Sequence, residues 1–132
     1  MEIRFNGKAA LVTEAGCGVG AAIAVAPGAA GAQVAIHYNS NRPGAEKVCA
    51  DIRARGGPEA LLLTADLMDP QAIPAMVSEV AARLGRIDIL VDNAGGLLDR
   101  RTVSEMPDKI YEQVMELNMG SAFRVSRAVI PL

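Results

Sequence analysis

The sequence is poor in the residues that most often announce a function. It has no tryptophan and only two tyrosines and two phenylalanines, so aromatics make up 3%. That argues against a platform for stacking single-stranded nucleic acid. Thirteen basic side chains face 15 acidic ones, a net charge of −2. No basic field is available to hold DNA or RNA. One histidine (His37) and two distant cysteines (Cys17 and Cys49), with no CxxC, are too few ligands for a zinc cluster. No apolar run approaches the ~20 residues of a membrane-spanning helix. The opening MEIRFNGKAALVTE lacks the apolar stretch of a signal peptide. Two lone thiols fit a reducing compartment, so a soluble, cytoplasmic protein is expected.

What is present is globular. Hydrophobic residues are 51% and charged residues 21% of 132, enough for one domain with a core of its own. Short apolar runs alternate with helical patterns. Ala9-Ala10-Leu11-Val12, Gln33 to His37, Ala60 to Ala65 and Ile87 to Val91 read as buried strands. Helices are expected from about Gly18 to Ala30 and from about Arg42 to Arg55, with Gly31 and Gly56-Gly57-Pro58 as their stops. A third, capped by Asp69 with Pro70 at its first position, sets Ile73, Met76, Val77, Val80 and Leu84 on one face. A loop from Asn93 to about Met106 leads to a last helix carrying Ile110, Val114, Leu117 and Val125. Strand–helix units of ~25–30 residues predict an α/β fold, a doubly wound parallel sheet with helices on both faces. Pro27-Gly28 interrupts the first helical stretch, and a kink or early end near Ala26 is expected.

The chemistry lies between the first strand and the first helix. Gly16-x-Gly18-x-x-Ala21 fits the loose dinucleotide fingerprint. A pyrophosphate must approach the main chain closely, so side chains have to be absent there. The following helix then aims free N–H groups and its positive end at the anion. The end of the second strand selects the cofactor. NAD binding usually places Asp or Glu there to hold the ribose hydroxyls. This chain has Tyr38, Asn39, Ser40 and Arg42 and no acid, which favours NADP(H) over NAD(H). The same segment also reads as a helix cap, with Arg42 in solvent.

At this point the chain resembles the N-terminal half of a classical short-chain dehydrogenase/reductase. Thr13 to Gly20, with Gly16, Cys17, Gly18 and Val19 between, resembles TGxxxGxG. Asp66, followed by Leu67, resembles the acid that meets the adenine amine. Asp92-Asn93-Ala94-Gly95 resembles NNAG, and Leu117-Asn118 resembles the segment bearing the active-site asparagine. The likeness runs from about Gly7 to the last residue. It implies a partial Rossmann domain over residues 1–132, with strand order 3-2-1-4. It implies an NAD(P)(H)-dependent oxidoreductase moving hydride between nicotinamide and a small carbonyl or alcohol substrate. Thr13, Gly16 to Gly20, Tyr38, Asn39, Ser40, Arg42, Asp66, Leu67 and Asn93 to Gly95 would hold the dinucleotide. Asn118 would hold a water of the proton relay through its main-chain carbonyl, and the last helix would join two copies.

Two departures accompany the resemblance. Glu14 stands where the family has its first glycine, and its carboxylate opposes a 2′-phosphate. Asp92 replaces an asparagine, exchanging an amide donor for an acceptor. The family's proton donor is a tyrosine with a lysine four residues on, after a serine. Tyr38 is followed at that spacing by Arg42 and Tyr111 by Met115. The sequence therefore reads as truncated: a fragment inactive alone, its fourth strand left as an edge and its fold marginal or dependent on a partner. The other readings are a catalytically dead nucleotide-binding or assembly module, and one half of a split enzyme.

Overall fold

The computed structural model describes residues 3–132; Met1 and Glu2, the first residues of the opening stretch expected to lack a signal peptide, lie outside the described residues. Four short strands form one parallel sheet in the order β3-β2-β1-β4. They are β1 (Ala9–Val12), β2 (Gln33–Tyr38), β3 (Leu61–Thr64) and β4 (Ile89–Val91). Their register sets Leu11 beside Ala35 on one side and Leu90 on the other. The expected fold class and strand order are thus the observed ones.

The helices lie on both faces, and the strands show why. Side chains alternate along a strand, so Val12, Val34, Ile36 and Tyr38 face one layer while Leu11, Ala35 and Leu63 face the other. The first layer is filled by α1 (Gly18–Ala29) and α2 (Arg42–Ala54), through Ala24, Ala45, Val48 and Ile52. The second is filled by α3 (Ala72–Leu84), with the predicted face of Ile73, Met76, Val77 and Val80. After β4 comes α4 (Asp108–Met115), and Val125 of α5 (Ser121–Val129) completes that layer.

Several boundaries differ from expectation. Helix α1 does not stop at Ala26: it carries Pro27 in its last turn and runs to Ala29. The end is closed by a Schellman pattern, with Ala32 N–H on the Pro27 carbonyl and Gly31 N–H on that of Gly28. Gly31 has φ 97°, the left-handed geometry this closure requires. Gly28 also lets Ile52 approach to a distance no Cβ would permit. Asp69 does not cap α3 directly: its carboxylate accepts from Gln71 N–H in a turn, and the helix starts at Ala72. The last helix is two helices joined by a π turn, Glu116–Gly120. A 3-10 turn, Val103–Glu105, breaks the loop before α4.

Candidate dinucleotide cleft

The carboxyl ends of β1 and β4 are locked together by one hydroxyl. Thr13 is fully buried, and its Oγ1 accepts from Asn93 N–H at 2.9 Å and Ala94 N–H at 3.0 Å. Asn93 answers with its amide: Nδ2 donates to the carbonyls of Thr13 and Glu14, both at 3.0 Å. A Cβ on Gly20 would stand 2.3 Å from Asn93 Nδ2 and 2.5 Å from the Glu14 carbonyl. Only glycine lets the first turn of α1 come down onto this lock. Thr13 and Asn93, both expected at the cofactor, are observed as braces of the turn.

Above the lock opens a cleft of about 450 Å³. Its walls include Glu14, Cys17, Gly18, Val19, Gly20, Asn39, Ser40, Asn93, Gly95 and Leu117. No side chain caps the start of α1, and no acid stands in its first turn. The positive end of that helix faces the cleft at Gly18 and Gly20, which carry no side chain. A larger furrow, about 710 Å³, runs between α1 and α2 past Lys47, Asp51 and Arg55. The smaller cleft lies where ligands bind in open α/β sheets, outside the strands' carboxyl ends and where strand order reverses between β1 and β4.

Glu14 is the one non-glycine residue with positive φ among the described residues, at 48°. It occupies the backbone shape that the glycine of the resembled pattern would adopt without strain. Its N–H donates to Nδ1 of His37 at 3.1 Å. His37, expected at the end of the second strand, is followed in β2 by Tyr38; it is fully buried, and its Nε2 lies 2.9 Å from the Ala65 carbonyl. Burial holds its pKa below the ordinary 6.5, against the pull of the Ala65 bond and the Glu14 charge. The signal that would have found it is register: β1 and β2 pair Val12 with Ile36, which sets Thr13 opposite His37 and leaves the next amide, that of Glu14, within reach of the ring.

The remaining expected residues are distributed around this cleft. Asn41 takes the cap of α2, accepting from Gly44 N–H and donating to the Gly16 carbonyl, both at 3.1 Å. Arg42 is exposed and paired with Glu46 at 2.8 Å, one helical turn on. The Asn39 carbonyl accepts from Thr64 Oγ1. Tyr38 and Leu67 are buried in the two core layers, so their side chains are not cleft surface. Asp66 is exposed at the end of β3, one carboxylate oxygen accepting from Met68 N–H at 2.9 Å. Asp92 is exposed; partial loss of water around its carboxylate raises its pKa, against the pull of Ser126 Oγ, which donates to it at 2.9 Å. Among the described residues no group of three His, Cys, Asp or Glu side chains is placed to hold a metal ion.

Asn118 sits within the π turn, a feature common at functional sites. Its Oδ1 accepts from Gly96 N–H at 3.1 Å, and its Nδ2 donates to the carbonyls of Gly96 and Val114. The side chain thus pins the loop after β4 to the helix. A Cβ on Gly95 would stand 2.5 Å from Asn118 Oδ1, so glycine is needed where that loop passes.

The profile of the short chain dehydrogenase family matches residues 8–132. Versicolorin reductase of Emericella nidulans is 39% identical over 124 residues, which are 94% of this chain and 46% of that protein. The 3-oxoacyl-(acyl-carrier-protein) reductase of Escherichia coli is 37% identical over 128 residues, covering 97% of this chain and 50% of the relative. Among solved structures, a 7α-hydroxysteroid dehydrogenase complexed with NADH and 7-oxo glycochenodeoxycholic acid superposes with a TM-score of 0.88 at 35% identity, over 98% of this chain and 49% of that one. A dehydrogenase/reductase from Sinorhizobium meliloti 1021 gives 0.91 at 33%, over 98% and 51%. The chain spans about half the length of the relatives it matches. With its sheet order, glycine-rich turn and Thr13–Asn93 lock in place, this chain belongs to the short-chain dehydrogenase family.

Proposed function

We propose that this chain binds a nicotinamide dinucleotide in the 450 Å³ cleft, NADP(H) in preference to NAD(H), as part of hydride transfer between the nicotinamide and a carbonyl or alcohol. The observation that carries this reading is the uncapped start of α1, with glycines at positions 16, 18 and 20, set on the carboxyl edge of β1. The residues fit such a group. Main-chain N–H groups of the first turn meet the diphosphate, Asn39 and Ser40 offer polar contacts, and Asp66 keeps an exposed carboxylate for an adenine amine. Leu67 and Tyr38 contribute main chain, since their rings and branches are buried. Gly95 lets the chain pass under a ribose.

When bound, the cofactor supplies the hydride; the protein supplies orientation and a proton. Asn118 and its π turn would hold the proton relay's water at this end of the sheet. No Tyr-x-x-x-Lys occurs in the 132 residues, so the chain by itself is proposed to bind without turnover. The exposed stripe of Tyr111, Met115, Met119 and Phe123 along α4, the π turn and α5 supports association with a second copy. A cytosolic location fits its free thiols.

The preference for NADP(H) rests on the missing acid at the end of β2. Glu14 opposes it, and Arg42 is already engaged by Glu46. Titration of cofactor fluorescence tests both halves. Saturable binding of NADPH, tighter than NADH and tightened further by Glu14→Gly, is the expected result. No fluorescence change with either cofactor at millimolar concentration would remove the reading, and tighter NADH would reverse the preference. Steady NADPH oxidation by the chain alone, with a panel of carbonyls, would contradict the proposed lack of turnover.

A further inference from the structure

We propose that His37 is a positioning residue of the cleft: it holds the left-handed Glu14 peptide in place and ties the glycine-rich turn to the end of β3 beside Asp66. The inference deepens the dinucleotide reading above and rests on it for its effect on binding.

Both ring nitrogens are committed. Nδ1 must accept, because a main-chain N–H points at it; Nε2 must donate, because a carbonyl faces it. One tautomer, neutral with its proton on Nε2, satisfies both. The His37 carbonyl takes the next amide as well, accepting from Ala15 N–H at 2.9 Å. Two consecutive amides of the turn therefore end on one residue of β2.

The Glu14 peptide needs such support. A glutamate at φ 48° is strained relative to glycine. The strained unit is gripped from both sides, with its N–H on His37 and its carbonyl on Asn93 Nδ2. Past Ala15 come Gly16, Cys17 and Gly18, the residues that would meet the diphosphate. At the other nitrogen, Ala65 immediately precedes Asp66, on the adenine side of the cleft. A leucine would fill the space yet leave the part-buried Glu14 N–H and Ala65 carbonyl without these partners.

Two substitutions separate positioning from filling. His37→Asn offers an oxygen near the place of Nδ1, and His37→Leu offers bulk alone. In the unaltered chain, long-range proton–nitrogen NMR of the ring is expected to show the proton on Nε2 only. Relative to Leu11 and Val34, the Glu14 amide of His37→Leu is expected to exchange about tenfold faster, with an NADPH dissociation constant about tenfold higher. His37→Asn is expected to stay within about threefold of the unaltered chain on both measures. With Glu14→Gly added, the His37→Leu effect is expected to shrink to under about threefold, because glycine holds the turn unaided.

A proton on Nδ1 overturns the proposal. So does a Glu14 amide in His37→Leu that exchanges in step with Leu11 and Val34, or a His37→Leu penalty that Glu14→Gly leaves undiminished. Should His37→Leu not fold, the ring tautomer and the His37→Asn values decide by the same criteria. Should the unaltered chain bind no NADPH, the dinucleotide reading fails, while tautomer and amide exchange still decide whether His37 sets the turn.

Discussion

Thr13 and Asn93 are 80 residues apart and meet only because β1 and β4 are parallel neighbours in register. Their resemblance to a family pattern marked them as cofactor contacts; their coordinates show them bonded first to each other. His37 carried no comparable mark, since its partners arrive through strand pairing and not through spacing along the chain. The same residue sets the acid response. Its folded pKa lies below 6.5, so as pH falls below 6.5 the unfolded chain takes up a proton that the folded chain resists. Its contribution is present above that value and is lost as pH falls. Asp88 acts later. Bonds from Arg86, the Ala9 N–H and Lys8 hold its pKa at about 2 instead of 3.8, so its contribution is lost only as pH drops from 3.8 toward 2. Asp92, with a raised pKa, works in the opposite direction: its effect comes as pH falls toward 3.8, before the Asp88 loss begins. Urea midpoints are expected to be level at about pH 7.5, to fall by about pH 5.5, and to fall less in His37→Asn. A midpoint that rises toward pH 5.5 would contradict this assignment.

Helices were legible in the sequence where one residue type had one physical use. Gly31 closes α1, and α2 closes with the same pair of bonds, Gly56 N–H on the Arg53 carbonyl and Gly57 N–H on that of Ile52. Pro27 misled because its cost was counted without its place. In the last turn it loses one amide bond, while its carbonyl accepts from both Ala30 and Ala32. The cost is reduced there, not abolished. Pro27→Ala is expected to stabilise the chain by about 1 kcal/mol and to raise its melting temperature by roughly 3–5 °C. A lower melting temperature would show that the ring's stiffness outweighs the missing bond. The π turn leaves no mark in the sequence pattern. Ile110, Val114, Leu117 and Val125 keep a helical rhythm across it, so the apolar pattern alone does not register the extra residue.

At the scale of the molecule, alternating strands and helices were enough to give the sheet class, and the family resemblance gave its order. What the pattern did not show is how uneven the cover is. Ile89, Leu90 and Val91 of β4 are only half-buried at the sheet's edge, and Tyr111, Met115, Met119 and Phe123 lie open on the last helices. Such an edge and stripe favour self-association. Light scattering is expected to show a mass that grows with concentration, and less growth in Met119→Glu combined with Phe123→Glu. A constant monomer mass at high micromolar concentration would refute this.

The most direct test of the cleft itself is an amide NMR titration of the chain with NADPH. The expected shifts gather at residues 14–21, at Asn39 and Ser40, and at residues 93–95. Shifts gathered instead along Lys47, Asp51 and Arg55 in the furrow between α1 and α2, or none at millimolar cofactor, would contradict the account.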